Sequence, residues 1–373
     1  MKTLFIHNAL PEYRLEFMKK LSDKTNIDFL ITDPQLANKI YKIKSQENTL
    51  NKIYFNNKKE VFKIKKIISR GNYNTIILPP ADSIYQFLCS YLALKEARKR
   101  NLKIFYWSEK WEANTKAQPS LKRLKNWIQA LMIRYIARRV HYCIVAGSCT
   151  KKYFEERIKI SEDKIKIAYD SSSSPSPNSP TPSLRQKYKI PNNAKIVLYI
   201  GRVIPRKGCD LLISSIKPII DKNRSVYLII GGEGPYLNHC KRLVDEKYLK
   251  NIVFIGKVLP EERGKYYQEA TVFVLPSYSL GGVIEAWGLT VNEALEQGTP
   301  VIATTAVGAA HDLLDNKCGI MIPERSINDL NKAINYFIND KISHELITSY
   351  CKNQYKKFSV ENMVNQFYEA LIN

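Results

Sequence analysis

Two carboxylates stand eight residues apart in the run Glu285-Ala-Trp-Gly-Leu-Thr-Val-Asn-Glu293. Such a pair can accept hydrogen bonds from a hydroxyl-rich ligand. Gly288 between them lets a ligand approach the backbone closely. The amides of Leu289 and Thr290 then open a helix and are unpaired donors suited to an anion. Gly298 fits the position just past that helix, and Pro300 prevents its continuation. An ordinary capped helix with two solvated glutamates remains open as the plainer alternative. A second run, Gly201-Arg-Val-Ile-Pro-Arg-Lys-Gly208, follows an apolar strand and precedes a helix. Arg202 offers a planar fork and Lys207 a point charge for phosphate oxygens, although a basic surface loop would read the same way. It is no P-loop, because the G-x-x-x-x-G-K-[ST] pattern is absent. A third run, Gly231-Gly-Glu-Gly-Pro235, pairs with Phe254-Ile-Gly-Lys257 and offers glycine turns against which a base or ribose can lie.

Elements that could position these residues alternate along the chain. Strands are expected at Leu4–His7, Ile27–Thr32, Thr75–Leu78, Lys103–Trp107 and Tyr142–Ala146, with helices at Glu12–Ser22 and Ile84–Lys99. After the Ser/Pro-rich stretch Asp170–Ser183 the rhythm resumes. Strands are expected at Ile196–Ile200, Val226–Gly231, Ile252–Ile255, Thr271–Leu275 and Val301–Thr304, and helices at Asp210–Lys222, Tyr236–Glu246 and Leu289–Gln297. Alternation of this kind implies α/β architecture with parallel sheets. The expected layout is two Rossmann-like doubly wound domains facing a central cleft. A basic domain spans 1–180, a linker 170–190 and a second domain 191–355. A terminal segment, 356–373, carries the amphipathic helix Val360–Ile372 that packs back on the first domain.

The chain has 373 residues, enough for two cores, and 45% are hydrophobic, which excludes a disordered chain. No apolar run approaches the length of a membrane span, and the opening Met1–Ile6 is too short for a signal-peptide core. Seven cysteines without a C-x-x-C pair fit a reducing compartment, and the five histidines show no metal-ligand spacing. The net charge is +23 and is unevenly placed: residues 1–190 hold 37 Lys/Arg and 16 Asp/Glu, residues 191–373 hold 21 and 19. A half so basic is drawn to anionic lipid, phosphate-bearing substrates or nucleic acid, or is merely a soluble Lys-rich surface. Nucleic acid is set aside, because the basic excess lies in the half without the anion-binding runs.

In order and spacing, residues 198–313 resemble the C-terminal half of GT-B glycosyltransferases, specifically the retaining family 4. The resemblance rests on GR…RKG…D, GGEGP, FIGKV, VLPS, EAWGLTVNEA, GTPVIAT and VGAAHDL. It implies a nucleotide-diphosphate-sugar donor in the second half. Arg202 and Lys207 would bind the diphosphate and Glu285 the hydroxyls of the transferred sugar. Glu293 would hold the ribose, the amides of Gly288, Leu289 and Thr290 the phosphates and sugar, and Lys257 and Val258 the base. No cofactor or metal is implied, because no D-x-D stands in a setting that suggests a required ion. In the first half, Asn8-Ala-Leu-Pro-Glu-Tyr-Arg14 looks like the N-P-Y-R opening of capsule and O-antigen transferases, and Tyr106-Trp-Ser-Glu-Lys-Trp111 like their W-x-E-x-W stretch. His7-Asn-Ala-Leu-Pro11 departs from the glycine pair of many members. Arg14, Trp107, Glu109 and Trp111 are therefore expected on the acceptor side, unless they are core aromatics with a surface carboxylate.

Within Lys116–Val140, Leu121, Leu124, Ile128, Leu131 and Tyr135 recur at helical spacing beside Trp127, flanked by Lys122, Arg123, Lys125, Arg134, Arg138 and Arg139. That composition suits a helix lying in an anionic membrane interface; a stripe facing the domain core is the alternative. The expected activity is transfer of a sugar to a hydroxyl of a lipid-linked or polysaccharide acceptor in cell-surface glycan synthesis. Its expected place is cytoplasmic, peripheral at the inner face of the membrane. A sugar-nucleotide epimerase or a phosphorylase of the same fold is the competing reading.

Overall fold

The computed structural model describes residues 1–33, 36, 50–112, 120–174, 183–339 and 343–372. Residues 175–182 of the expected linker and residues 116–119 of the expected amphipathic helix lie outside the described set. The chain divides into two compact units. The first comprises Met1–Trp111, Thr115–Asp170 and Val360–Asn373, and the second Glu112–Asn114 and Ser171–Ser359.

The first unit is built on a parallel sheet ordered β3-β2-β1-β4-β5-β6-β7. Its strands are β1 (Lys2–His7), β2 (Asn26–Ile31), β3 (Lys52–Tyr54), β4 (Thr75–Leu78), β5 (Lys103–Ser108), β6 (Tyr142–Val145) and β7 (Ile165–Ile167). Alternate residues feed opposite faces, as strand geometry requires. Leu4, Ile6, Ile76, Leu78, Ile104 and Tyr106 enter one core cluster. Phe5, Ile77, Phe105 and Trp107 enter the other, which the helices Glu12–Lys24 and Val360–Ile372 complete. Phe367 of the last helix meets Phe17, Trp107 and Phe5, with ring centroids 5.1, 5.4 and 5.9 Å away. The helix Ser120–Ala137 buries Asn126, Ala130, Ile133, Ile136 and Ala137. The stripe of Leu121, Leu124, Ile128, Leu131 and Tyr135 is therefore not the core-facing one. It is exposed, from 82% at Leu121 to 37% at Tyr135, with Trp127 beside it at 50%.

The second unit repeats the plan with order β10-β9-β8-β11-β12-β13. Its strands are β8 (Lys195–Ile200), β9 (Val226–Gly231), β10 (Ile252–Gly256), β11 (Val272–Leu275), β12 (Val301–Thr304) and β13 (Gly319–Ile322). β9 and β11 are buried along their whole length and are rich in Val, Ile and Leu, as strands covered on both faces are. The strand order reverses between β8 and β11. Open α/β sheets bind ligands beyond the carboxyl ends of the strands at such a point. One helix is shorter than its periodicity predicts: Tyr236–Glu246 becomes Leu237–Arg242, followed by a single 3-10 turn over Glu246–Tyr248.

Candidate functional site

Both phosphate-type runs leave from the strands that flank the reversal in the second unit. The loop after β8 is knitted to the loop after β9. Gly201 N–H donates to the Gly231 carbonyl at 2.9 Å, Val203 N–H to Glu233 at 2.9 Å, and Tyr236 N–H to Val203 at 3.1 Å. Pro205–Lys207 forms one 3-10 turn, and Gly208 starts the helix Cys209–Lys222 at φ +68°. A Cβ at Gly208 would lie 2.1 Å from the Pro276 carbonyl oxygen, so glycine lets this loop touch the exit of β11. Tyr278 N–H donates to the Arg206 carbonyl at 2.8 Å and joins the two exits.

The carboxylate run is fixed from its other side. Glu285 N–H donates to Ala306 at 3.1 Å, Gly308 N–H to the Glu285 carbonyl at 3.1 Å, and Ala309 N–H to Trp287 at 2.9 Å. Trp287 Nε1 donates to Asn292 Oδ1 at 2.9 Å, which ties the turn to the helix Thr290–Glu296. Gly288 makes that turn at φ +102°, closed in by Val307 and Leu275.

These constraints bring the two runs together. Lys207 Nζ lies 2.6 Å and Arg206 Nη1 2.8 Å from the same oxygen, Glu285 Oε2. Burial raises the Glu285 pKa, but Lys207 and Arg206 outweigh it and hold the carboxyl below its ordinary 4.5. Burial pulls the Lys207 ammonium below its ordinary value against the attraction of Glu285, and the charges of Arg206 and Arg202 pull the same way. Arg202 is exposed. Two cations thus converge on one carboxylate, and the charge of Arg202 acts on Lys207 beside them, which leaves net positive charge where a diphosphate can be held.

The remaining expected donor residues are placed as follows. Glu293 is buried, accepts from Tyr267 Oη at 2.9 Å and pairs with Arg263 at 3.3 Å. Burial lifts its pKa, opposed by Arg263. It belongs to a hydrogen-bonded group with the helix Pro260–Glu269 rather than to the Lys207–Glu285 pair. Leu289 and Thr290 are half-buried at the start of their helix. Lys257 is exposed beyond β10, while Val258 is buried against Gly231.

In the first unit, Arg14 stands in the first turn of the helix Glu12–Lys24. It donates through both terminal nitrogens to Asp170, at 2.7 Å from Nη2 to Oδ2, and from Nη2 to Glu109 at 2.5 Å. Its guanidinium lies 4.9 Å from the Trp107 ring centroid and 5.2 Å from that of Tyr13. Arg14 and Trp107 are each 1% exposed. Arg14 and Trp107, expected on the acceptor side, are thus buried, with the cation shared by two carboxylates and stacked on an aromatic face. Glu109 keeps a third of its side chain exposed. Burial pushes its pKa up to about 7, with Arg14 opposing and Asp170 adding to the rise. Trp111 is half-buried against the core. His7 nearby is held neutral by burial, its pKa lowered to about 4. Sequence reasoning did not single out Arg206 or Asp170. Arg206 stands beside Lys207, where one cation already explains the motif. Asp170 meets Arg14 across 156 residues with no local signal.

Residues 180–356 match the family model described as "Glycosyl transferases group 1". That match covers just under half of the chain. A GDP-mannose-dependent alpha-(1-6)-phosphatidylinositol monomannoside mannosyltransferase of Mycobacterium tuberculosis is 30% identical over 161 residues, which cover 42% of this chain and 42% of that relative. The lipopolysaccharide 1,2-N-acetylglucosaminetransferase of Salmonella typhimurium is 26% identical over 243 residues, 62% of this chain and 61% of that enzyme. The matched stretches thus span about two fifths to three fifths of these relatives. Among solved structures, Anabaena HepE in complex with UDP superposes with a TM-score of 0.76 at 17% identity, over 100% of this chain and 99% of that one. The fold is that of the GT-B glycosyltransferases, with two parallel-sheet α/β units. Arg202, Arg206, Lys207 and Glu285 all lie within the matched residues.

Proposed function

We propose that the chain transfers a sugar from a nucleotide-diphosphate sugar to a hydroxyl of a lipid-linked or polysaccharide acceptor, with retention at the anomeric carbon. The observation that carries this reading is the convergence of Lys207 and Arg206 on Glu285 inside the stretch that matches the group 1 glycosyltransferases. Arg202 and Lys207 take the diphosphate, and Glu285, oriented by two cations, takes hydroxyls of the sugar. The sugar–phosphate bond breaks as the acceptor oxygen attacks the same face. The acceptor proton passes to the departing phosphate oxygen, so no protein nucleophile is needed. The cations carry the developing negative charge, and the reaction proceeds without a divalent ion, so EDTA leaves the rate unchanged. Amides of Gly288, Leu289 and Thr290, the Glu293 carboxylate and the backbone at Lys257 and Val258 serve the donor, while Glu109 and Trp111 serve the acceptor.

The names of the mannosyl- and N-acetylglucosaminyl-transferring relatives support a glycolipid or lipopolysaccharide type of acceptor. The exposed stripe on Ser120–Ala137, rimmed by Lys122, Arg123 and Lys125, supports docking on an anionic membrane surface, the inner face of the cell membrane in this reading. Each such cation near an anionic surface contributes about 1 kcal/mol. The test is a panel of nucleotide sugars screened by thermal shift, then assayed for transfer to isolated lipid-linked glycan. One or more donors stabilise the wild type and yield an acceptor-dependent product, and Lys207→Ala loses at least about tenfold in donor affinity. A Lys207→Ala protein with full donor affinity would remove the diphosphate assignment.

A further inference from the structure

At the amino ends of β5 and β6 lies a hollow of about 290 Å³. Arg98 and Asn101, at the end of the helix Ile84–Lys99, and Arg139 and His141, just after Ser120–Ala137, line it over Leu102 and Val140. Among the described residues that line it there is no carboxylate. Two of the donors are held in place. The Arg139 guanidinium lies 3.8 Å from the Tyr135 ring centroid and donates to the Tyr135 carbonyl at 2.9 Å. His141 Nδ1 accepts from Ile104 N–H at 3.0 Å. That bond leaves Nε2 to carry the ring proton and donate. Glu109 follows the carboxyl end of β5, so this hollow, at the amino end, is separate from the Arg14–Glu109 group.

We propose that the hollow binds a phosphomonoester group. Two guanidinium forks, an imidazole N–H and an amide around a pocket without carboxylates match the several acceptor oxygens and double charge of that group. Tyr135, which seats Arg139, is also the last member of the exposed apolar stripe. A phosphate at the surface of a lipid layer that receives the stripe therefore has this hollow at its level. For the lipid source the proposal rests on the membrane reading above; for a soluble phosphate ester it stands without it.

The test uses the full chain and the variant Arg98→Gln/Arg139→Gln/His141→Gln, whose substituted side chains are exposed. Its folding is checked by an unchanged melting temperature. Glycerol 3-phosphate is titrated with UDP present, and vesicles of phosphatidic acid or phosphatidylglycerol are compared at matched surface charge. The wild type binds glycerol 3-phosphate and prefers phosphatidic acid vesicles by about tenfold, and the triple variant loses both. If only glycerol 3-phosphate distinguishes the two proteins, the ligand is a soluble ester. A triple variant equal to wild type in both arms overturns the site, as does a wild type that binds neither probe. Leu124→Ser/Trp127→Ser tests the membrane reading by itself. If it binds vesicles as well as wild type, that reading fails while the glycerol 3-phosphate arm still decides the hollow.

Discussion

Glu109 shows how one side chain can report a shared cation. Arg14 is a single charge between two carboxylates, and Asp170 holds it through both terminal nitrogens. Glu109 is the partner left with the raised pKa, moved by burial from 4.5 to about 7. Between those values the folded chain keeps a proton that the unfolded chain has released, so stability falls as pH rises through that window. Glu109→Gln flattens that slope while Asp170 still pairs with Arg14. Melting temperatures across the window check this, and an unchanged slope contradicts it. Glu285 has the opposite sign: its pKa lies below 4.5, so the stability its ion pairs provide is present above that value and lost in acid. The sequence disclosed Glu285 and Lys207 through motif order, because spacing alone says nothing about residues 78 apart. It could not disclose that Arg206 shares the same oxygen, or that Arg14 and Trp107 are buried. Those facts depend on which way a turn faces.

Elements were legible where the hydrophobic period was strong and the ends were marked. Thr75–Leu78, Ile84–Lys99, Val226–Gly231, Val301–Thr304 and Val360–Ile372 fall where the pattern places them. The second of these starts at Ser83, whose hydroxyl accepts from Gln86 N–H at 3.2 Å. β3, β7 and β13 were not foreseen. They have three or four residues each, too few for an alternation, and their pairing comes from neighbours distant in sequence. The helix Ser120–Ala137 shows why composition alone leaves two faces open. Ala130, Ile133, Ile136 and Ala137 fill the core, while Leu121, Leu124, Trp127, Ile128, Leu131 and Tyr135 face outward. The helix Val360–Ile372 belongs to the first unit's core through Phe367, packed among Phe5, Phe17 and Trp107. Phe367→Ala therefore costs about 3–5 kcal/mol of stability. Chemical denaturation checks it: a loss below about 1 kcal/mol, the scale of an average substitution, would show that the helix is dispensable to that core.

At the scale of the whole molecule, charge and chemistry are divided between the two halves of the sequence. The first 190 residues carry nearly all the net charge of +23, while residues 191–373 are close to neutral and hold the Arg202–Lys207 loop. In the proposed reading Arg202, Arg206 and Lys207, set against Glu285, recognise two linked phosphates rather than a nucleoside. Arg202 is exposed, so its removal tests recognition without disturbing the Lys207–Glu285 pair. Calorimetric titration with nucleoside diphosphate and monophosphate of the same base measures this directly. The wild type is expected to prefer the diphosphate by at least about tenfold, and Arg202→Ala and Lys207→Ala each to lose most of that preference. Equal affinity for both nucleotides in the wild type, or an undiminished preference in both variants, would contradict it.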